Sequence, residues 1–263
     1  MFSGFMVNTW LAATVVAIVA GVVGFFVVAR GASFAAHALC AGAFPGAAAA
    51  LVLGTSTLGG LVAFAALGVA GITWINRKGR RDVATALTLV TLLGLGALFL
   101  SMASEYAPEV ESLLFGQILG VSSSELVFLV LVATLCVVTI GVAFRPLLLT
   151  SVNEDLGQTQ GIAPKRADLA FLAILGLATA MAVPVVGTLL VSTLMVGPSA
   201  AAQILSPRPF VALMASIALA ATTAWLAVAL AYRSGWPVGF FVGTIAALAY
   251  LTARASTSAR RRC

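Results

Sequence analysis

Runs of about twenty apolar residues alternate with short polar breaks along the whole chain, and the breaks set the element boundaries. The first run covers about 5–28 and stops at Arg30 and Gly31. A second covers about 33–53, and Gly54, Thr55 and Ser56 predict a tight turn into a third that ends near Ile75. The basic residues Arg77, Lys78, Arg80 and Arg81 follow, and Asp82 opens a fourth run reaching about Met102. Ser122, Ser123 and Ser124 ahead of Glu125 predict the start of a fifth helix, which ends at Arg145. Beyond a longer polar segment come runs over about 169–185, about 186–205 and about 210–231, with a turn at 206–209, and a last run over about 238–253. Roughly 17 to 25 residues of helix cross about 30 Å of hydrocarbon, so these runs are long enough to span a bilayer. Strand-like alternation is absent, which disfavours a β-barrel. The predicted fold is all-α: a polytopic helical bundle of about nine (eight to nine) transmembrane helices in one domain over 1–263, the count resting on the boundary near Pro184 and Gly187.

Composition agrees. With 62% hydrophobic and 8% charged residues and a mean hydropathy of +1.14, a soluble core of this length would lack the polar surface to cover it. The opening MFSGFMVNTW has no basic residue before its apolar run, so the first run is expected to be a retained span and not a signal peptide. Cys40 and Cys136 lie inside apolar runs and Cys263 is terminal, which supports neither a disulfide framework nor a thiolate cluster. With nine spans and the central polar segment in the cytoplasm, all 14 Lys and Arg except Arg233 fall on the cytoplasmic side, together with the carboxyl terminus. The acidic stretch Glu105, Glu109, Glu111 then lies outside, and the arginine tail meets anionic lipid headgroups. The pI of about 9.9 is accounted for by this topology, and no basic-aromatic motif points to nucleic acid.

The longest polar interruption, RPLLLTSVNEDLGQTQGIAPKRAD from Arg145 to Asp168, holds the strongest concentration of charge and amide. Leu147, Leu148, Leu149, Val152, Leu156 and Ile162 keep an apolar register through it, the pattern of short amphipathic helices against a membrane surface or a partner. Gly157 and Gly161 can supply positive φ, and Pro164 favours an extended residue before it, so a helix, a turn and a helix entry are expected.

Chemistry is sparse. No Gly-Lys pair followed by Ser or Thr occurs, so this chain is not the usual P-loop ATPase, and ATP hydrolysis is expected in a separate chain. Asp82, Glu125 and Asp168 all stand at span ends, so no acid marks a mid-membrane ion site. The second run is different. It carries His37, the chain's sole histidine, with Cys40 at i+3 and the pair Pro45–Gly46 in its middle. Proline inside a spanning helix favours a kink or break and a position facing other helices. Imidazole and thiol are ligand types for zinc and similar divalent ions, although two ligands need others from elsewhere or from a symmetry mate. The alternative is that His37 bonds a neighbouring helix and Cys40 packs. Ala38, Gly42, Gly46 and Ala50 form a small-residue stripe suited to close packing within the chain or, alternatively, to a dimer seam. Gly197 and Pro198 are expected to bend the seventh run.

The stretch ARGASFAAHALCAGAFPGAA resembles the second-helix signature of the ABC-type zinc and manganese import permeases, whose usual form reads Arg, Met, Ser-Phe, Leu-Gly-Asp, Ala-Leu-Ser-His, then Ala, Leu-Pro-Gly. LLFGQILGVSSSEL, SVNEDLGQTQGI and VVGTLLVSTLMVGPSAAAQIL match further family segments, so the resemblance runs from about residue 10 to about 250. It implies a transmembrane subunit of an ABC importer of the type II fold, with no permanently bound cofactor and a divalent metal, zinc or manganese, as cargo. It also implies a second permease subunit (homo- or heterodimer), a cytoplasmic ABC ATPase dimer, an extracytoplasmic substrate-binding protein and surrounding membrane lipid as partners. Ser151, Asn153, Glu154, Asp155, Leu156, Gly157, Gly161 and Ile162 fall in the implied ATPase-coupling segment, a cytoplasmic loop at about 146–167. Aligned on Pro45–Gly46, however, the family's intramembrane aspartate falls at His37, its histidine at Ala41 and the intervening serine at Cys40. Two copies of His37 and Cys40 across a dimer axis would restore four soft ligands and favour zinc. Alternatively the metal site is lost, or a different partner permease carries it. A non-conducting membrane scaffold of the same fold is a competing reading, and a chelated-cofactor permease of the cobalamin and siderophore type is another.

Overall fold

The computed structural model describes residues 4–76, 80–102 and 121–260, and among them every regular element is helical. The helices are α1 (Gly4–Ala29), α2 (Ser33–Leu53), α3 (Thr57–Ile75), α4 (Arg81–Met102), α5 (Ser123–Val152), α6 (Glu154–Thr159), α7 (Pro164–Val186), α8 (Thr188–Leu205), α9 (Pro209–Ser234) and α10 (Val238–Arg260). Eight of them are long and apolar enough to cross a membrane, and α8 is a shorter helix, apolar over Leu190–Leu205. The expected acidic stretch at Glu105, Glu109 and Glu111, the LLFGQIL segment, Arg77, Lys78 and the residues Arg261, Arg262 and Cys263 lie outside the described residues.

Local chemistry sets the boundaries. Gly54 ends α2 at φ 65°, and the Ser56 hydroxyl accepts from the Gly59 amide to start α3. Ser122 and Glu125 form a reciprocal capping box at the head of α5, the start that the Ser-Ser-Ser-Glu run predicts. Prolines occupy the first turns of α7 and α9, where a missing amide proton costs nothing.

Three boundaries differ from expectation. The fifth helix does not end at Arg145. It continues through Pro146 to Val152, because Leu147 is buried and Thr150 accepts a bond from Arg30 just beyond α1, so tertiary contacts outweigh the proline. The polar interruption thus narrows to 153–163, with α6 inside it. The last helix likewise runs on past residue 253 to Arg260. Of the two glycines expected to supply positive φ in that interruption, only Gly161 does so, at φ 76°. Helices α2 and α8 are continuous through Pro45 and through Gly197–Pro198, so neither proline breaks its helix.

Helix directions follow from side-chain contacts. Asn8 at the start of α1 reaches Val121 and Ser123 at the start of α5, while Arg30 beyond its end reaches Leu147 and Thr150, so α1 and α5 are parallel. Trp225 bonds Thr14 and Ser216 bonds Gly21, so α9 is antiparallel to them. Helix α7 starts at the Arg30 end and α8 returns towards it, where Gln203 donates to the Phe25 carbonyl. The intervening reversal is the single residue Gly187, at φ 88° and ψ 153°.

Close approaches divide the bundle into two bodies. A Cβ on Gly46 would come within 2.1 Å of the Gly60 carbonyl oxygen, and one on Gly42 within 2.7 Å of Leu92, so α2, α3 and α4 touch nearly backbone to backbone. The small-residue stripe of α2 is therefore occupied inside the chain. In the second body, a Cβ on Gly24 would lie 2.1 Å from the Met195 carbonyl oxygen and one on Gly21 within 2.6 Å of Ile217, which seats α1 on α8 and α9; α5 and α10 complete it. Helix α7 packs on both bodies, whereas α1 and α2 barely touch although they adjoin in sequence.

Candidate functional site

Two regions carry the polar chemistry. The first is the early part of α2. His37 is exposed there, and its Nδ1 lies 3.3 Å from the Ser192 hydroxyl of α8, a contact between the two bodies. Cys40 is 0% exposed, so at i+3 it points into the core while His37 points out. The two are not brought to one opening. Ala41, one turn beyond His37, is half-buried, and Phe34, one turn before, is exposed, so the outward face of α2 offers a single ligand flanked by apolar neighbours. Among the described residues no three His, Cys, Asp or Glu side chains gather closely enough to hold a metal ion. One chain therefore presents His37 as its imidazole, and a complete metal site there would need ligands other than the described His, Cys, Asp and Glu side chains around it.

Gly42, Pro45 and Gly46 serve packing. The Pro45 ring sits where a Cβ on Gly96 would come within 2.7 Å, and Gly46 faces Gly60. Gly197 meets Ala246 of α10 at 2.8 Å from an ideal Cβ, and Pro198 beside it is buried.

The second region is the segment between α5 and α7. Asn153 belongs to both flanking helices: its amide donates to the Leu149 carbonyl at 3.2 Å, ending α5, and its side-chain oxygen accepts from the Asp155 amide at 2.8 Å, starting α6. The backbones of Glu154 and Leu156 lie within α6, and Asp155 is exposed on it. Gly157 is buried against α5, where a Cβ would come within 2.7 Å of Thr150. Gly161 then turns the chain, the Ile162 amide returns to the Gly157 carbonyl at 2.9 Å, and Ile162 packs on the core. Ser151 bonds back to the Leu148 carbonyl, while Val152 is 74% exposed at the tip. The result is a short, rigidly attached helix at one end of the bundle with a mixed apolar and polar outer surface.

Beneath this helix lies a cluster that was legible in the sequence only as span ends. Arg30 has a side chain only 4% exposed. Its Nη1 donates to the Leu147 carbonyl at 3.0 Å and the Thr150 hydroxyl at 2.8 Å, its Nη2 pairs with Asp168, and its guanidinium stands 5.3 Å from the centre of the Phe171 ring. The other oxygen of Asp168 accepts from Arg81 at the first turn of α4. Arg30, Arg81, Thr150, Ser151 and Asn153 line a polar cavity of about 180 Å³. The signal available beforehand was the opposite charge of Arg30 and Asp168 at span ends predicted to share a side of the membrane.

Comparison with known proteins places this geometry. The chain is 28% identical to a manganese import system permease protein, ScaB, of Streptococcus parasanguinis over 94% of its own length and 89% of that protein's. It is 26% identical to the manganese transport system membrane protein MntC of Listeria innocua, over 78% of this chain and 74% of that one. The chelated iron transport system membrane protein YfeC of Yersinia pestis is 26% identical over 95% of this chain and 85% of its own length. Among solved structures, PsaBC from Streptococcus pneumoniae in complex with Fab superposes with a TM-score of 0.85 at 27% identity, covering 95% of this chain and 91% of that chain. An inward-facing structure described as a metal-chelate type ABC transporter shares the fold, with a TM-score of 0.76 at 16% identity over 94% and 85% of the two chains. The model of the ABC 3 transport family matches residues 3–257, and this integral membrane chain belongs to that family.

Proposed function

We propose that this chain is the permease subunit of an ABC importer that moves a divalent metal ion, of the zinc or manganese class, across the cytoplasmic membrane. The observation that carries this is the family match over residues 3–257, joined to a helix arrangement close to that of PsaBC along nearly its whole length. The manganese systems among the relatives support a metal ion as cargo, and YfeC makes a metal chelate the second reading. In this reading the Arg30 end of the bundle faces the cytoplasm, α6 is the contact for a separate ATPase dimer, and the carboxyl terminus is cytoplasmic. A second permease completes the pathway, and an extracytoplasmic binding protein delivers the ion. The absence of a phosphate-binding loop leaves hydrolysis to the partner.

Mechanistically, the two helix bodies supply what alternating access requires, namely packed units that move against each other without losing their internal contacts. His37 lies at their boundary on an outward face, where a second subunit would meet it, and an imidazole nitrogen suits a borderline divalent ion. In this reading Cys40, fully enclosed, contributes packing.

The test is reconstitution of the complex recovered with this chain from membranes, followed by uptake of zinc and of manganese with and without ATP. ATP-dependent accumulation of either ion is expected, and His37→Ala should lower it at least about tenfold. Recovery without any ATPase, or saturation by a metal chelate alone, would remove the free-ion reading. Full uptake by His37→Ala would remove the ligand assignment only.

A further inference from the structure

Arg30 joins three helices that already pack on one another, α1, α5 and α7, to α4, which otherwise packs on α2 and α3. It lies just beyond α1, bonds the last turns of α5 through Leu147 and Thr150, pairs with Asp168 in the first turns of α7, and through Asp168 is linked to Arg81 of α4. We infer that Arg30, Asp168 and Arg81 form a positioning unit that converts displacement of α6 into movement of the α2–α4 body, so that metal uptake per ATP depends on it. The inference rests on the importer reading given above.

The path is continuous, and its links from Thr150 as far as Asp168 are enclosed. Asn153 caps α5 and α6 at once, and Gly157 presses on Thr150, so α6 and the end of α5 move together. Thr150 is buried, and its hydroxyl donates within its own helix to the Pro146 carbonyl while accepting from Arg30. A displaced α5 terminus therefore pulls on a guanidinium that is itself almost fully enclosed. Arg30 passes the displacement to Asp168, whose two oxygens face different helices. Because α1 and α2 barely touch, the helix that follows Arg30 in sequence is a poor route into the α2–α4 body, and Arg81 adds a directed polar link to the apolar packing of α7 on α2 and α3. A planar guanidinium can hold a carbonyl, a hydroxyl and a carboxylate in fixed directions, whereas an ammonium on a flexible stem acts as a point charge and cannot fix all three.

A simple staple would also hold these helices together, so the test separates stability from transmission. The wild-type complex and the variants Arg81→Gln, Arg30→Lys and Arg30→Gln are reconstituted with the ATPase, and hydrolysis and uptake of zinc or manganese are read in the same vesicles. Arg81 is 48% exposed, so Arg81→Gln should assemble normally. Its hydrolysis is expected to stay within about twofold of wild type while uptake per ATP falls about fivefold, with Arg30→Lys falling as far and Arg30→Gln further. Unchanged uptake per ATP in Arg81→Gln would overturn the inference, as would hydrolysis and uptake that fall in proportion. Should the Arg30 variants fail to assemble, Arg81→Gln decides alone. A wild-type complex that moves no metal would remove the importer reading and this inference with it, whereas normal transport with an undisturbed ratio in the variants would remove this inference only.

Discussion

Two of the polar places where the helix bodies meet, among the described residues, differ sharply. Near the head of α2 a polar tie between α2 and α8 joins exposed His37 to buried Ser192 at 3.3 Å. At the α6 end, a buried guanidinium with carbonyl, hydroxyl, carboxylate and ring partners is joined to a second arginine. The first contact can open and close at little cost. The Arg30 half of the second cannot, because a guanidinium left unpaired away from water is heavily penalised, while its outer link to Arg81 is half-exposed. The molecule is thus held firmly where a motor would push and loosely where an ion would pass.

Substitutions can break this contrast. Arg30→Ala leaves the Leu147 carbonyl, Thr150 and much of Asp168 without their partner, and should cost about 3 kcal/mol, read as a lowered thermal midpoint of the purified permease. Gly157→Val forces a side chain against Thr150 and should cost about 2 kcal/mol while weakening recovery of the ATPase. Asn153→Ala removes the cap shared by α5 and α6 and should cost about 1 kcal/mol, visible as faster amide exchange confined to 154–159. His37→Ala should change stability by less than about 0.5 kcal/mol, leaving the thermal midpoint almost unmoved, while uptake falls. A large loss of stability from His37→Ala, or none from Arg30→Ala, would reverse the contrast.

How much of this was open to a reader of the chain depends on the kind of signal. The spans were legible because lipid leaves a backbone almost no choice but helix, so run length alone located α1 to α4. Ser122 with Glu125 and Gly54 with Ser56 announced helix ends because their chemistry is local. The end expected at Arg145 differs for the same reason, since Pro146 follows it. Its local effect is to end a helix, and what carries α5 past it is the enclosure of Leu147 and the bond from Arg30, contacts made across more than a hundred residues. His37 and Cys40 stood out by residue type, yet the i+3 spacing did not reveal that the boundary between core and surface passes between them. Arg30 and Asp168 looked like ordinary span ends, since nothing in a linear pattern says which two ends meet.

Gly187 has a consequence for how the topology is mapped. Its backbone lies in a region open essentially to glycine alone, and its amide and carbonyl are both satisfied, by Val183 and Val191. The chain reverses there without any hydrophilic loop, at a residue shielded from solvent. Reporter fusions, inserted epitopes and proteases need an accessible loop, so an experiment that counts crossings by such means will pass over the reversal and assign both termini to the same compartment. Labelling single cysteines placed near residues 8 and 256 would show them on opposite faces.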